Sequence, residues 1–181
     1  TTYLTKTLTV TPDAVLVSPT KRTQKTIEPY LVAKNLTGVI WMELAECCTQ
    51  TPSGNAIPTE PKYAPYKATI EGPNLVFRDA SATKYWQNDT YEAGLLMVNK
   101  AKSDILSQFS QSGKTIFVVG HASAGMVLLN AIRGIDVSTG AGSTSPNSIY
   151  LMNTGVQRAV QDPITSAFQV DGKNINKPRT E

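Results

Sequence analysis

Thr115-Ile116-Phe117-Val118-Val119-Gly120-His121-Ala122-Ser123-Ala124-Gly125-Met126 decides the fold of this 181-residue chain. Thr115 to Val119 favour a buried strand and run straight into Gly120 and His121. A helical pattern starts at Ser123, with Met126, Val127, Leu129 and Ile132 expected on one side. A strand that ends in Gly-His and turns at once into a helix places an imidazole at the carboxyl edge of a parallel sheet. Ligands of open α/β sheets bind along that edge, where helix N-termini attract anions. His121 is the sole histidine of the sequence. A lone histidine is ordinarily structural or simply exposed, and only its place after the strand makes it a candidate.

Working outward, the neighbouring segments repeat the same alternation. Ala14-Val15-Leu16-Val17 reads as a short buried strand, bounded by Ser18-Pro19. A helix is expected from about Thr20, carrying Lys21, Arg22, Lys25, Ile27, Tyr30 and Leu31, with Pro29 kinking or restarting it. Residues 39–44, Val-Ile-Trp-Met-Glu-Leu, read as a second strand. Asp89 or Thr90 is placed to cap a helix running to about Phe109, with Tyr91, Leu95, Val98, Ile105 and Phe109 near helical spacing. Ser112-Gly113 stops it. Beyond a Gly/Ser/Thr-rich loop at 138–148, residues 149–152, 156–160 and 167–170 have extended texture, interrupted by Asn153-Thr154-Gly155. Residues 1–10 read as the last turns of a helix. Strands alternating with helices predict an α/β fold, a mostly parallel sheet flanked by helices on both faces.

One segment breaks the rhythm. Between Thr49 and Pro73 lie five prolines, at 52, 58, 61, 65 and 73, and almost no apolar period. Because it falls inside one strand–helix alternation, it is expected as a long loop insertion, about 49–82, within a single domain spanning 1–181. Loops of this length are often functional, and a lid or specificity loop is the expectation.

Composition limits the choices. Hydrophobic residues make up 40% and charged residues 17%, the balance of a globular chain, and the formal charge of +3 is too small to argue for nucleic acid. No apolar run is long enough to cross a membrane as a helix. Cys47 and Cys48 are neighbours, a spacing that fits neither a disulfide framework nor a zinc site. Asn35-Leu36-Thr37 and Asn88-Asp89-Thr90 fit the glycosylation sequon, so a cytoplasmic and a secreted location both stay open. No cofactor is implied, and no His/Asp/Glu grouping has metal-ligand spacing.

Three polar features stand where strands finish. Ser18-Pro19-Thr20-Lys21-Arg22-Thr23-Gln24-Lys25-Thr26 follows the first strand, Leu44-Ala45-Glu46 the second, and Gly120-His121 a later one. An arginine on a helix's first turn offers a planar fork to two phosphate oxygens. A carboxylic acid can protonate a leaving oxygen, and a histidine can donate to a phosphoryl oxygen. This set, in this order, resembles the histidine phosphatase superfamily, with its phosphoglycerate-mutase-like three-layer sandwich. The family's Ser-Pro-x-x-Arg-x-x-x-Thr segment is matched by Ser18, Pro19, Arg22 and Thr26, and its Gly-His by Gly120-His121. The resemblance covers the chain from Thr1 to about Val170. It implies that Arg22, Ser18, His121 and Ala122 bind a phosphoryl group, with His121 and Glu46 catalytic. Glu46 would be the proton donor; Glu43 fits that role poorly because it falls mid-strand.

The family's nucleophile is the histidine of an Arg-His-Gly motif ending the first strand, and this sequence has no such motif. In one account the first strand and most of its helix precede Thr1, and that segment exists elsewhere. In the other, Tyr3-Leu4-Thr5-Lys6-Thr7 is the first strand of a pseudoenzyme. Parallel neighbours need a crossover of about a dozen residues, and Leu8 to Asp13 is too short for one, which favours the former.

The expected function is therefore phosphoryl transfer, most simply phosphomonoester hydrolysis, on a phosphorylated small molecule or phosphoprotein. A mutase activity is less favoured, and a catalytically inactive module that binds a phospho-ligand or a protein is the rival. A serine hydrolase is disfavoured: it needs a second histidine, and Ala122 holds the centre of Gly120–Ala124 where a nucleophile elbow requires serine.

Overall fold

The computed structural model describes residues 10–140 and 156–170. They fall into two compact units, 10–46 with 62–87 and 112–120, and 47–61 with 88–111, 121–140 and 156–170. The architecture is α/β, with a four-stranded parallel sheet and three α-helices among the described residues.

The first unit holds the sheet. Its strands are β1 (Ala14–Val17), β2 (Gly38–Ile40), β4 (Leu75–Phe77) and β6 (Ile116–Val119), in the order β4-β2-β1-β6 and parallel throughout. β1 is central: Val15 lies opposite Gly38 and Phe117, Val17 opposite Ile40 and Val119. Helix α1 (Lys21–Lys34) joins β1 to β2 and buries Ile27, Tyr30 and Leu31 against Val15, Val17, Ile40 and Leu75. Strand alternation sends Val15 and Val17 to that face and Leu16 to the other, and all three are buried. Gly38 is what lets the helix come so close. A Cβ there would sit 2.9 Å from both Leu31 Cδ1 and Leu75 Cδ2. Asn35, left-handed at φ 51°, ends α1, and the Leu36 N–H reaches back to the Leu31 carbonyl at 2.9 Å.

Three expectations for this unit are corrected. Pro29 does not restart α1, which runs through it as one helix. Proline removes one helical hydrogen bond, but buried residues on either side, Ile27 before it and Tyr30 and Leu31 after, hold the helix to the sheet. The strand expected at 39–44 covers only Gly38–Ile40. A 3-10 turn at Met42–Leu44 follows, closed by the Leu44 N–H on the Trp41 carbonyl at 3.1 Å. The expected loop insertion at 49–82 contains a sheet strand. β4 pairs along β2 from Gly38–Leu75 to Ile40–Phe77, and the Arg78 N–H donates to the Ile40 carbonyl at 2.9 Å. The same stretch supplies β3 (Tyr63–Lys67), which pairs antiparallel with β5 (Lys84–Trp86); the register shifts between Tyr63 and Lys67, around Pro65.

In the second unit α2 (Tyr91–Phe109) is capped by the Thr90 hydroxyl, which accepts from the Ala93 N–H at 3.1 Å. It packs on α3 (Ala122–Ile132). The buried stripe of α3 is Ala124, Val127, Leu128 and Ala131, with Asn130, rather than the expected Met126, Val127, Leu129 and Ile132. Strands β7 (Ala159–Gln161) and β8 (Phe168–Val170) form an antiparallel pair. The expected helix at 1–10 falls, but for Val10, outside the described residues, and so do the strand at 149–152 and the Asn153-Thr154-Gly155 interruption.

Candidate functional site at the carboxyl edge of the sheet

Each parallel strand of the first unit delivers its following residue to one edge. Ser18 leaves β1 with its N–H on the Val119 carbonyl at 2.9 Å, so the β1–β6 ladder continues one step past the strand. The Ser18 side chain is fully buried, and the Thr20 N–H points to its hydroxyl at 3.4 Å. Thr20 is extended and precedes the first turn of α1, where its hydroxyl meets that of Thr23 at 2.8 Å. This turn sets Arg22 on the outer side of the helix start.

Arg22 Nη2 donates to Glu46 Oε2, forming an ion pair between α1 and the segment after the 3-10 turn. The side chains are 64% and 49% exposed. Two residues singled out by their strand-end positions, 24 apart in sequence, thus meet at this edge. Glu43 faces Arg78 at 3.5 Å, and the Arg78 guanidinium lies 4.2 Å over the Trp41 ring. That contact ties the 3-10 turn to the end of β4.

The Ser18-Pro19 turn is braced by two side chains that the sequence reading gave no such role. Gln24 is fully buried. Its amide donates to the carbonyls of Pro19 (2.8 Å) and Thr69 (2.9 Å), and its oxygen accepts from the Glu71 N–H (3.0 Å). Tyr85 on β5 donates to the same Pro19 carbonyl at 2.8 Å, and burial pushes its hydroxyl pKa up. One signal for Gln24 was present: positions 24, 27 and 31 share the apolar stripe of α1, and a polar residue there needs partners. Glu71 accepts from the Thr69 hydroxyl and pairs with Lys21 at 3.4 Å, and these contacts, Thr69 first, hold its carboxyl below the usual range. All of these residues belong to the first unit.

His121 and Ala122 belong to the second unit. His121 is the N-cap of α3, extended at φ −113° and ψ 154°, and its carbonyl accepts from the Gly125 N–H at 2.8 Å. Ala122 is the first helical residue. Its N–H therefore falls among those that a helix leaves without an intrahelical acceptor. The structure brings Ser18, Arg22 and Glu46 to one edge of the first unit, and it sets His121 and Ala122 at the head of α3 in the second. Among the described residues no group of three or more His, Cys, Asp or Glu side chains is arranged to hold a metal ion, and no helix is long and apolar enough to cross a membrane.

No model of a known protein family matches this chain, and no curated protein gives a significant match to it.

Proposed function

We propose that this chain has the three-layer sandwich of the histidine phosphatase superfamily and binds a phosphoryl group at the carboxyl edge of its parallel sheet. The observation that carries the reading is the meeting of Arg22 with Glu46 beyond the ends of β1 and β2. The arginine's fork suits phosphate oxygens, and an exposed ion pair, worth about 0.2–1 kcal/mol, opens readily to admit a dianion.

In this reading Arg22 holds phosphoryl oxygens, Ser18, which is fully buried, shapes the turn beneath it rather than touching the ligand, and Glu46, released from Arg22, protonates the leaving oxygen. The resemblance also gives phosphoryl-binding roles to His121 and Ala122, which stand at the head of α3 in the second unit. Hydrolysis requires a second histidine as nucleophile. It would attack phosphorus in line, take the phosphoryl group, and pass it to water. The resemblance gives that role to the histidine of an Arg-His-Gly motif, which this sequence does not contain.

The single histidine of the sequence favours a second reading, a phospho-ligand-binding module without turnover. Titration of inorganic phosphate into the chain, with p-nitrophenyl phosphate hydrolysis followed in parallel, tests both. Arg22→Ala is expected to weaken phosphate binding roughly 10- to 100-fold, the loss of one charge-assisted contact. Hydrolysis by way of a phosphohistidine other than His121, in a preparation that contains an Arg-His-Gly motif, selects the enzyme. Binding without hydrolysis in that preparation selects the module, and absence of phosphate binding overturns both.

A further inference from the structure

We infer that Cys47 and Cys48 are a peroxide-sensitive thiol pair that closes into a disulfide between neighbouring residues. The inference stands apart from the phosphatase reading and uses only the second unit. The two sulfurs lie 2.6 Å apart, inside the roughly 3.5–4.0 Å at which non-bonded heavy atoms rest. Neither is in a disulfide in the structure. Side chains of adjacent residues in extended backbone point to opposite faces. Here they converge because Cys48 is left-handed, at φ 66°, a conformation L side chains rarely adopt.

The surroundings are shaped around the pair. Gly94 on α2 lies against it: a Cβ there would fall 2.8 Å from Cys48 Sγ and 3.1 Å from Cys47 Cβ. Any other residue at that position would push the two thiols away. Cys47 Sγ also reaches the Gly94 carbonyl at 3.7 Å. Both cysteines are buried, Cys47 at 2% and Cys48 at 6% exposure, so the reagent must be small and Cys48 is the less covered of the two. A hydroperoxide, little larger than water, meets that requirement.

The chemistry balances without another partner. The Cys48 thiolate attacks one oxygen of hydrogen peroxide, breaking the O–O bond. It becomes a sulfenic acid, and the departing hydroxide takes up the thiol proton as water. Cys47 sulfur then attacks Cys48 sulfur, the S–O bond breaks, and a second water leaves. Two thiols are oxidised and one peroxide is reduced to two waters. Proximity favours the second step, since the attacking sulfur is already in contact. Consecutive Cα atoms lie about 3.8 Å apart across a trans peptide, short of the usual disulfide span of about 4.4–6.8 Å. The ring is therefore strained and should reopen readily in dithiothreitol.

These are the two cysteines of the sequence, so intact mass gives a direct test. Peroxide treatment of the native protein is expected to yield a monomer lighter by two hydrogens and without titratable thiols. The change should map within the tryptic peptide 35–62 and reverse in dithiothreitol. Cys47→Ser and Cys48→Ser should each gain oxygen atoms or form covalent dimers instead. If either variant fails to fold, the wild-type measurement still decides. Retention of both thiols, oxygen gain in place of hydrogen loss, or thiol loss only through covalent dimers would each overturn the inference.

Discussion

Arg22 and Glu46 pair with each other at the carboxyl edge of the sheet, one from the first turn of α1 and the other from the segment that follows the 3-10 turn. Both are about half exposed or more, so the pair adds little to stability. Arg22→Ala and Glu46→Gln should each shift the unfolding free energy by less than about 1 kcal/mol. Their effects on inorganic phosphate should be opposite. Arg22→Ala removes the anion's partner, whereas Glu46→Gln removes its competitor and should tighten binding roughly two- to fivefold. Calorimetric titration at two salt concentrations checks this, because an exposed charge pair is screened as salt rises. Equal behaviour of the two variants would place the anion elsewhere.

Gln24 makes a different kind of contribution. Its buried amide serves two carbonyls and one N–H on separate segments. Gln24→Ala leaves the Thr69 carbonyl and the Glu71 N–H without that partner, while Pro19 keeps Tyr85. A loss of about 2–4 kcal/mol is expected in urea unfolding. Lys21→Ala, which removes only a surface pair with Glu71, should cost less than about 1 kcal/mol. A similar loss for both variants would show that the buried glutamine does not brace the turn.

The contrast between these residues marks what the sequence could convey. β1, α1, α2 and β6 follow from apolar runs and helical spacing, because each is long or regular enough to stand out. Arg22 and Glu46 were singled out because strand ends in a parallel sheet collect at one edge, although the strand before Glu46 stops at Ile40 and a 3-10 turn intervenes. β4 was not. Leu75-Val76-Phe77 is three residues in proline-rich surroundings, and only its pairing with β2 makes it a strand. The apolar run at 39–44 carries no period that distinguishes strand from turn, and the break after Ile40 depends on tertiary contacts of Trp41 and Arg78. Gln24 left one mark, its place on the apolar stripe of α1, but the Pro19 carbonyl that it and Tyr85 hold is backbone and has no signature in side-chain pattern.

Gly38 offers a test of the packing between α1 and the sheet. A methyl group there would press on Leu31, Leu75 and, at 3.1 Å, Val17 Cγ2. All three are buried, so relief requires the helix or a strand to move. Gly38→Ala should destabilise by about 1–3 kcal/mol, lowering the urea midpoint with little change in slope. A midpoint at or above that of the parent would mean that the three side chains reorient at no cost.

Glu92 should govern part of the acid sensitivity. It sits in the first turn of α2 and is buried, and its Oε1 accepts from the Ser53 N–H at 2.7 Å, the Ser53 hydroxyl at 3.0 Å and the Gly54 N–H at 3.2 Å. Donation from its own backbone N–H, and then from Ser53 and Gly54, holds the carboxyl below its ordinary value of 4.5. A folded-state value below the unfolded one binds fewer protons in the native protein. The stabilisation is therefore complete above about pH 4.5 and is lost as pH falls through the lower folded-state value. Glu92→Gln removes this dependence. Its unfolding free energy should fall less steeply than that of the parent below pH 4.5, while at pH 7 it should be the less stable of the two. Parallel pH profiles for the two proteins would show that Glu92 is not the group that titrates.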